Sequence, residues 1–457
     1  MIATALFGTD GIRAPFGSYP LDRATVTALG AQLGILLRRD LPAPSVILGG
    51  DTRESTPTIA AWLASGLASA GTGWAWIGVA PTPGIAWLAR RCTAAAGIAV
   101  SASHNPAPDN GIKLLGGDGY KWSVEREAEV ERLLMAAVAA APSGAPLREL
   151  APPALAVEPE LSTEYLHFLA TTLPGRRPLA GLRVALDCAN GATSGFAPRL
   201  FADLGAEVQV LHAAPDGGNI NHDCGSTHPA AIAAATARGG ADLGLTFDGD
   251  GDRVLLADEH GTVWDGDAIL YLWARALRAD GRLDPPRVVA TTMSNLGLER
   301  ALARDGVGVL RCAVGDRAVV ESMRRQGILL GGEQSGHVVN LALGTTGDGM
   351  LTGLQIAGLL ARSGRPLSQL AAGFERFPQL LRNVPVSRKP DLGSLPRVGA
   401  TARGIEERLG ADGRLVLRYS GTEPLVRIML EGPDADLLEA MASELAEAIR
   451  QEVGAVG

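Results

Sequence analysis

The chain has 457 residues, of which 46% are hydrophobic, and a formal net charge of −8. Because single cores rarely exceed about 250–300 residues, this length predicts several domains, and the negative charge argues against a nucleic-acid partner. The sequence has no apolar run of the ~18 residues that a membrane helix needs and no basic leader, so we expect a cytoplasmic protein with no membrane partner. Its four cysteines, Cys92, Cys188, Cys224 and Cys312, have no paired spacing, which argues against a zinc site or a disulfide framework.

Strand–loop–helix units recur along the chain. Strands are predicted in SVILGGDTREST, RVALDCANGATSG and RVVATTMSN, and helices in PTIAAWLASGLASAG, FAPRLFADLG and GDRAVVESMRRQG. Apolar strands that alternate with helices predict α/β layers. Segments rich in proline or alanine predict domain boundaries at residues 141–160 and 376–390. Beyond them, two strands in RLVLRYSGTEPLVRIMLEG and an amphipathic helix starting at Asp434 or Asp436 predict a small α+β domain.

The stretch TFDGDGDRVLL carries Asp248, Asp250 and Asp252 at alternate positions. Residues two apart on an extended chain project to the same side, and the intervening glycines allow the backbone to curl, so the carboxylates can converge. Converging carboxylates need a cation, and oxygen-only ligation favours Mg²⁺ or Ca²⁺ over zinc or copper. An ordinary Asp-Gly turn is the alternative. An EF-hand loop is rejected because Arg253 occupies its glycine position, although Glu259 matches its last ligand.

The stretch GIAVSASHNPAPDNGIK passes from an apolar strand into a loop that holds Ser103 and His104. Proline stiffens this loop, so Ser103 is a candidate nucleophile or phosphorylated residue, the alternative being a plain turn serine. Only three of the 41 basic residues are lysines, Lys113, Lys121 and Lys389. Since lysine can transfer a proton at biological pH and arginine cannot, Lys113 is a candidate acid or base, or else a lysine snorkelling at a strand end.

Two further loops are rich in hydrogen-bonding groups. Within GGEQSGH, the side chains of Glu333, Ser335 and His337 fit recognition of a hydroxyl-rich ligand, or an ordinary polar loop. The stretch RYSGTEPLVR combines hydroxyls, exposed N–H groups and arginines, which suit an anion, or else form an ordinary hairpin. Its candidate phosphate ligands are Arg418, Ser420, Gly421, Thr422 and Arg427. Arg13 in FGTDGIR and Arg53 in GDTRES are weak candidates on their own.

These motifs, taken in order, resemble one family. Ser-His-Asn-Pro before NGIK, then DGDGDR, GEQSGH and RxSGTEP is similar to the signature of the α-D-phosphohexomutases, and the resemblance extends from Phe7 to the C-terminal helix. It is strongest for the branch that acts on an amino sugar, through FGTDGIR, NINHDCGSTHP, MSNLGLE, VGDR, TTGDG and the glutamine of GEQSGH. The resemblance implies an α/β protein with three α/β domains, whose mixed sheets are covered by helices, and a smaller C-terminal α+β domain. The implied ranges are 1–152 with the phosphoserine loop, 158–257 with the metal loop, 258–374 with the sugar loop, and 380–457 with the phosphate-binding loop.

The resemblance also implies an activity and a set of residue roles. The expected enzyme is an isomerase that interconverts glucosamine 6-phosphate and glucosamine 1-phosphate through a phosphoserine, with glucosamine (or glucose) 1,6-bisphosphate as intermediate or activator. Magnesium would bridge the phosphoryl group on Ser103 to Asp248, Asp250 and Asp252. The implied catalytic residues are Ser103, His104, Lys113, Arg253 and Arg13. The implied sugar ligands are Glu333, Ser335 and His337, and the implied phosphate ligands are Arg418, Ser420, Gly421, Thr422 and Arg427.

Several alternatives stay open on the sequence. The same scaffold with the same chemistry could act on mannose or glucose phosphates. Water could take the phosphoryl group from Ser103, which would make the protein a phosphatase, and a non-catalytic phosphosugar- or metal-binding protein is a third alternative. The only partner expected is a small phosphosugar, with no nucleic acid or membrane, and a homodimer is left open.

Overall fold

The N-terminal part of the chain builds a five-stranded sheet from strand–helix units. The computed structural model describes residues 6–8, 10–140, 151–420 and 424–454. Its first unit contains β1 (Ile12–Pro15), α1 (Arg23–Asp40), β2 (Ser45–Gly50), α2 (Thr56–Ser69), β3 (Gly73–Val79), α3 (Thr82–Arg91), β4 (Ala96–Val100), β5 (Asp109–Gly116) and α4 (Val124–Ala140). The strand order is β1-β5-β4-β2-β3, and only the pairs β2–β3 and β2–β4 are parallel. Helix α1 starts where the Asp22 carboxylate accepts a hydrogen bond from Thr25 N.

Two more mixed sheets follow. The second unit contains α5 (Pro159–Thr171), β6 (Arg183–Asp187), α6 (Ala197–Asp203), β7 (Glu207–Leu211), α7 (Ala230–Gly239), β8 (Leu243–Phe247), β9 (Val254–Ala257) and β10 (Val263–Trp264), in the order β10-β9-β8-β6-β7. The third contains α8 (Gly266–Ala279), β11 (Arg287–Thr291), α9 (Leu296–Arg304), β12 (Gly308–Cys312), α10 (Asp316–Gln326), β13 (Leu330–Gly332), β14 (Val338–Asn340), α11 (Gly349–Ser363) and α12 (Leu367–Ala371), in the order β12-β11-β13-β14.

The C-terminal unit is smaller and its sheet is antiparallel. It contains β15 (Gln379–Pro385), α13 (Pro396–Leu409), β16 (Arg414–Tyr419), β17 (Leu425–Glu431) and α14 (Ala435–Val453), with strand order β15-β17-β16. The Asp434 carboxylate accepts hydrogen bonds from Asp436 N and Leu437 N, which is why α14 begins at Ala435. The predicted α+β tail with two strands around a turn is confirmed.

The apolar core is not divided evenly among the four units. One cluster joins side chains of the first three units, from Ile47 to Phe374. A second lies within the first unit, between Ile12 and Leu134, and a third lies within the C-terminal unit. The C-terminal unit therefore has a core of its own, whereas the first three units share one.

The structure agrees with the expected fold class of three α/β units and a smaller α+β unit. The domain ranges stay a prediction, but β10 pairs with β9 through Val263 and Trp264, which favours a second boundary after residue 264. The segment 376–390, predicted as a boundary, holds strand β15 at the edge of the C-terminal sheet, where its prolines are tolerated. Among the described helices, none is long and apolar enough to cross a membrane.

Candidate active site

Ser103 lies in a buried turn just after β4. Its backbone φ is +51°, a left-handed conformation that is uncommon for residues other than glycine, and its side chain is fully buried. Ser103 Oγ donates a hydrogen bond to Asp248 Oδ2 at 2.5 Å, and His104 Nδ1 lies 3.4 Å from the same hydroxyl. The turn therefore presents the serine hydroxyl to the aspartates of the second unit, as the sequence motifs predict.

Arg53 holds this turn from within the first unit. Its guanidinium donates to the carbonyl oxygens of Ser103 at 3.1 Å, Asn105 at 2.9 Å and Pro106 at 2.8 Å. Its Nε lies 3.0 Å from Asp51 Oδ2, and both charged side chains are completely buried. Such contacts fix the strained backbone of the turn, because an unusual φ persists only where its surroundings determine it.

Asn221 holds the same turn from the second unit. Its Nδ2 donates to the carbonyl oxygens of Ser103 at 2.9 Å and Asn105 at 3.0 Å. The Asn221 backbone has φ +59°, which asparagine tolerates better than most residues. On the sequence Arg53 is only a weak candidate, and no motif singles out Asn221, although it lies in the stretch NINHDCGSTHP.

Asp248, Asp250 and Asp252 converge on a turn between β8 and β9. One oxygen from each carboxylate lies within 4.8 Å of the others, and all three side chains are buried. The convergence comes from the turn, in which Gly251 has φ +72° and its N–H donates to Asp248 O, rather than from alternation along an extended strand. Glu259, the residue that would close an EF-hand, instead accepts a hydrogen bond from the Ser368 hydroxyl.

The aspartates suit a hard divalent cation. Asp250 Oδ1 and Asp252 Oδ1 are buried and have no hydrogen-bond partner among the described residues. Burial and the neighbouring Asp252 and Asp250 raise the pKa of Asp248 well above its usual range. A cation that bound these oxygens would satisfy the unpaired atoms and favour the ionised form of Asp248. All three ligands offer oxygen only, which fits magnesium.

Lys113 lies against the same carboxylates. Its Nζ is 2.7 Å from Asp250 Oδ2, 3.3 Å from Asp252 Oδ2 and 3.6 Å from Asp10 Oδ2. Burial on its own would lower the pKa of Lys113, but these three carboxylates raise it well above its usual range. In this arrangement the side chain is an ammonium, which can give a proton but cannot take one. The role of Lys113 as acid or base stays a prediction.

The pKa of His104 is shifted in the opposite direction to that of Lys113. Burial, followed by the nearby charges of Arg253 and Arg13, lowers the pKa of His104 to about 4. The imidazole is therefore neutral at neutral pH and can accept a proton near the Ser103 hydroxyl. Arg253 N donates to Asp248 Oδ1 at 3.1 Å, and Arg13 Nη1 donates to Asn105 Oδ1 at 3.0 Å, so both arginines border the serine turn.

The predicted sugar loop lies between β13 and β14 and packs against the starts of β9 and α8, since Val254 N donates to Gly336 O and Gly266 N donates to Gln334 O. Glu333 Oε1 accepts from Gly315 N at 2.9 Å, His337 is buried and its Nε2 accepts from Gly347 N at 3.2 Å, and Ser335 is exposed. Next to Gly315, the carboxylate of Asp316 lies 3.1 Å from Lys121 Nζ.

Lys121 connects the sugar-loop region to the N-terminal loop. Its Nζ also lies 2.8 Å from Asp10 Oδ1, and Asp10 in turn pairs with Arg13 and approaches Lys113. Lys121 is one of the three lysines of the chain, but no sequence motif assigns it to the site. The scarcity of lysine was the signal that could have identified it.

Of the predicted phosphate ligands, Arg418 and Arg427 lie on strands of the C-terminal sheet, and Ser420 follows β16. Arg418 and Arg427 face each other in the β16–β17 register, and Arg427 Nη2 donates to Ser420 Oγ at 3.3 Å. Lys389 Nζ donates to the carbonyl oxygen of Ser420 at 2.7 Å. Gly421 and Thr422 lie outside the described residues.

Family comparisons agree with this architecture. Four models described as phosphoglucomutase/phosphomannomutase match the chain: alpha/beta/alpha domain I at residues 4–139, domain II at 163–261, domain III at 265–377 and the C-terminal domain at 381–448. The chain belongs to the phosphoglucomutase/phosphomannomutase family.

Its curated relatives have a narrower name. The phosphoglucosamine mutase of Anaeromyxobacter dehalogenans is 46% identical over 99% of this chain and 100% of its own length. The phosphoglucosamine mutase of Bacillus subtilis is 44% identical over 98% of this chain and 99% of its own length.

Solved structures share the fold. A phosphoglucomutase/phosphomannomutase family protein from Burkholderia thailandensis is 24% identical, with a TM-score of 0.80 over 99% of this chain and 98% of its own. The N-acetylphosphoglucosamine mutase of Aspergillus fumigatus, solved in complex with GlcNAc-6P and magnesium, is 19% identical, with a TM-score of 0.66 over 98% of this chain and 96% of its own.

Proposed function

We propose that this protein is a phosphoglucosamine mutase, which interconverts glucosamine 6-phosphate and glucosamine 1-phosphate. The observation that carries the proposal is the 2.5 Å hydrogen bond from the buried Ser103 hydroxyl to Asp248, which belongs to a convergent cluster of three aspartates. A phosphoryl group on that hydroxyl would lie beside carboxylates that can share a divalent cation with it. The names of the full-length relatives support glucosamine as the sugar.

Asp248, Asp250 and Asp252, together with a phosphoryl oxygen on Ser103, would hold magnesium. When bound, the ion would offset the charge of the phosphoryl group during transfer. The buried Oδ1 atoms of Asp250 and Asp252, which accept no hydrogen bond from the described residues, support this assignment over a purely structural turn. Arg253 adds a positive charge at the same place, since its Nε lies 3.7 Å from Asp252 Oδ1.

The proposed reaction consists of two phosphoryl transfers. In the first, the bond between phosphorus and Ser103 Oγ breaks, and a bond from phosphorus to the O1 hydroxyl of glucosamine 6-phosphate forms. Neutral His104 takes the proton of the attacking hydroxyl, and the Lys113 ammonium gives a proton to the departing serine oxygen. The resulting 1,6-bisphosphate turns over in the site. In the second transfer a bond from Ser103 Oγ to the 6-phosphorus forms and the bond from phosphorus to O6 breaks. The serine proton returns to Lys113, which is now an amine, and His104 gives its proton to O6, so that glucosamine 1-phosphate is released and both side chains are restored.

Ligand binding is proposed to involve the two outer loops. Glu333, Ser335 and His337 would contact the sugar hydroxyls. The non-reacting phosphate would be held by Arg418, Ser420, Gly421, Thr422 and Arg427. Arginines and hydroxyls suit this purpose because the same site must accept a phosphate in two opposite sugar orientations.

The first test is the Ser103→Ala variant. We expect it to keep its circular dichroism spectrum and melting temperature, to lose the single phosphoryl group detected by intact mass, and to lose isomerase activity. Retention of more than a few per cent of the activity would exclude the phosphoserine. With the unaltered enzyme, magnesium and a trace of hexose bisphosphate, rates on glucosamine, mannose and glucose 6-phosphates identify the sugar, and free phosphate released at the turnover rate would indicate a phosphatase.

The metal assignment has its own test. The Asp250→Asn variant should need a higher magnesium concentration for half-maximal rate and should have a strongly reduced kcat, because one anionic ligand is lost. An unchanged magnesium titration would mean that these carboxylates do not hold the ion. Asp258→Asn is a control. Asp258 is also buried, but its oxygens accept hydrogen bonds from His260 N, Thr262 N and the Trp264 indole.

A further inference from the structure

A second cluster of potential metal ligands lies at the end of the second sheet. Asp187 is the last residue of β6, His212 follows the last residue of β7, and the two strands are parallel neighbours in which Asp187 is paired with Leu211. Cys224 comes from the loop that follows β7. One ligand atom from each of the three side chains lies within 4.8 Å of the others. The sequence separations of these residues concealed the cluster, because no cysteine pair marks it.

The atoms are placed as ligands of a common ion would be. His212 Nδ1 lies 3.0 Å from Asp187 Oδ1, yet this buried nitrogen forms no hydrogen bond within the part of the chain that the structure describes. Asp187 and Cys224 are fully buried, whereas the His212 side chain is 33% exposed, which gives an ion a path from solvent. The Asp187 oxygens also accept hydrogen bonds from Ala189 N and Gly225 N, which hold the carboxylate in place as groups outside a ligand shell do.

The set of ligands identifies the metal. A thiolate, an imidazole and a carboxylate together favour a borderline-soft ion such as zinc, whereas the oxygen-only aspartates of the active site favour magnesium. We propose that Asp187, His212 and Cys224 bind a zinc ion, with water in the fourth position. Binding displaces the thiol proton of Cys224, so zinc uptake releases a proton to solvent.

This zinc site would be connected to the serine turn through the loops that surround it. Of the seven residues other than glycine that have positive φ in the described chain, five lie in the loops around the cluster. They are Ala189, Asn190, His212, Asn221 and Asp223. These loops bond to one another, since Asn190 N donates to His212 O and Asn221 N donates to Ala189 O. Asn221 then donates to the Ser103 carbonyl, so an ion at the cluster would fix the loop that positions the serine.

Cobalt substitution tests the proposal independently of activity. In excess magnesium, which occupies the oxygen ligands of the active site, the purified protein is titrated with Co²⁺ and its near-ultraviolet spectrum is recorded. A charge-transfer band from thiolate to cobalt requires sulfur ligation and cannot arise from three aspartates. We expect the band to saturate at a single ion per chain and to disappear when zinc is added.

Two ligand variants and one control complete the test. Cys224→Ser and His212→Asn should abolish the band and weaken zinc binding by more than about 100-fold. That factor is the largest usually seen when a residue that only hydrogen-bonds to a metal ligand is lost, and here a ligand itself is lost. Asparagine is chosen because position 212 has φ +46°, which asparagine tolerates, and because the site is partly exposed. If Cys224→Ser does not fold, the result for His212→Asn decides the test. Cys92→Ser removes an exposed thiol and should keep the band. Absence of the band in the unaltered protein, or its persistence in His212→Asn, overturns the proposal.

Discussion

Replacing Arg53 by methionine tests what holds the Ser103 turn in place. The arginine is completely buried, pairs with Asp51 at 3.0 Å, and donates to three carbonyl oxygens of the turn. Methionine has a similar length and apolar stem, so the main change is the loss of charge and donors. The substitution leaves the Asp51 carboxylate buried without its counter-ion.

The free-energy cost of this substitution has two parts, one from the Asp51 carboxylate and one from the carbonyl oxygens of the turn. Breaking a buried ion pair by removing one partner costs about 3–5 kcal/mol. The lower end applies here, because Asp51 still accepts from the Ser101 and Thr56 hydroxyls and from the backbone N–H of residue 53. Burial already raises the pKa of Asp51, so in the variant the carboxyl group can take up a proton and limit the cost.

The carbonyl groups add little to this cost. The oxygens of Ser103 and Asn105 keep Asn221 as a donor, and Pro106 O keeps the N–H of Asp109. We therefore expect Arg53→Met to destabilise the protein by about 3–4 kcal/mol and to lower kcat, because the serine turn loses its support from the first unit.

A double-mutant cycle with Asp51→Asn makes the reasoning testable. Urea unfolding followed by tryptophan fluorescence gives the free energy of unfolding of the parent, both single variants and the double variant. If the buried charge is the cause, the double variant is more stable than Arg53→Met alone. Additive losses in the double variant, or an unchanged kcat in Arg53→Met, would refute the explanation.

The remaining predictions concern a buried acid and a tight glycine. Burial raises the pKa of Asp348 to about 6, above its unfolded value near 3.9, so the stability it contributes is full below pH ~4 and is lost as the pH rises through about 6. Asp348→Asn removes this loss. Between pH ~4 and ~7, the free energy of unfolding of the variant should rise relative to that of the parent by up to about 3 kcal/mol. Parallel pH profiles of the two proteins would contradict this prediction. A Cβ on Gly266 would lie 1.9 Å from Glu333 O, so Gly266→Ala should displace the sugar loop and raise KM about tenfold, equivalent to ~1.4 kcal/mol. Gly404→Ala is the control, because Gly404 also lies in a helix but nothing is within 4 Å of the added carbon. An equal KM in the two variants would show that the clash with Glu333 O does not affect substrate binding.

Local sequence patterns were sufficient to predict the helices, the strands and the main motifs. The alternation of apolar strands with helices predicted the α/β units, and Asp434 was correctly identified as one of two possible starts for α14. The convergence of the three aspartates was also predicted, although the chain achieves it with a turn. Each of these features depends on residues close in sequence, where propensity and capping decide the conformation.

Contacts between units could not be predicted in the same way. Asn221 reaches the Ser103 carbonyl across 118 positions, and Lys113 meets Asp250 across 137. The ammonium character of Lys113 follows from those distant carboxylates rather than from its own motif. No local pattern records which side chains two sheets will bring together after they pack.

The shared core of the first three units has a consequence for synthesis of the chain. Val46 and Leu48 pack into the cluster that is complete by Leu134, whereas Ile47, on the other face of β2, belongs to the cluster that extends to Phe374. Helix α3 covers this face within the first unit, with Ile85 against Gly49 and Gly97, but the cluster is completed only about 240 residues after Leu134, which at ~5–20 residues per second takes roughly 10–50 s on the ribosome. During this interval a nascent chain exposes the part of the first unit's apolar surface that the later units cover. The first unit is therefore the part of the protein with most to gain from a chaperone.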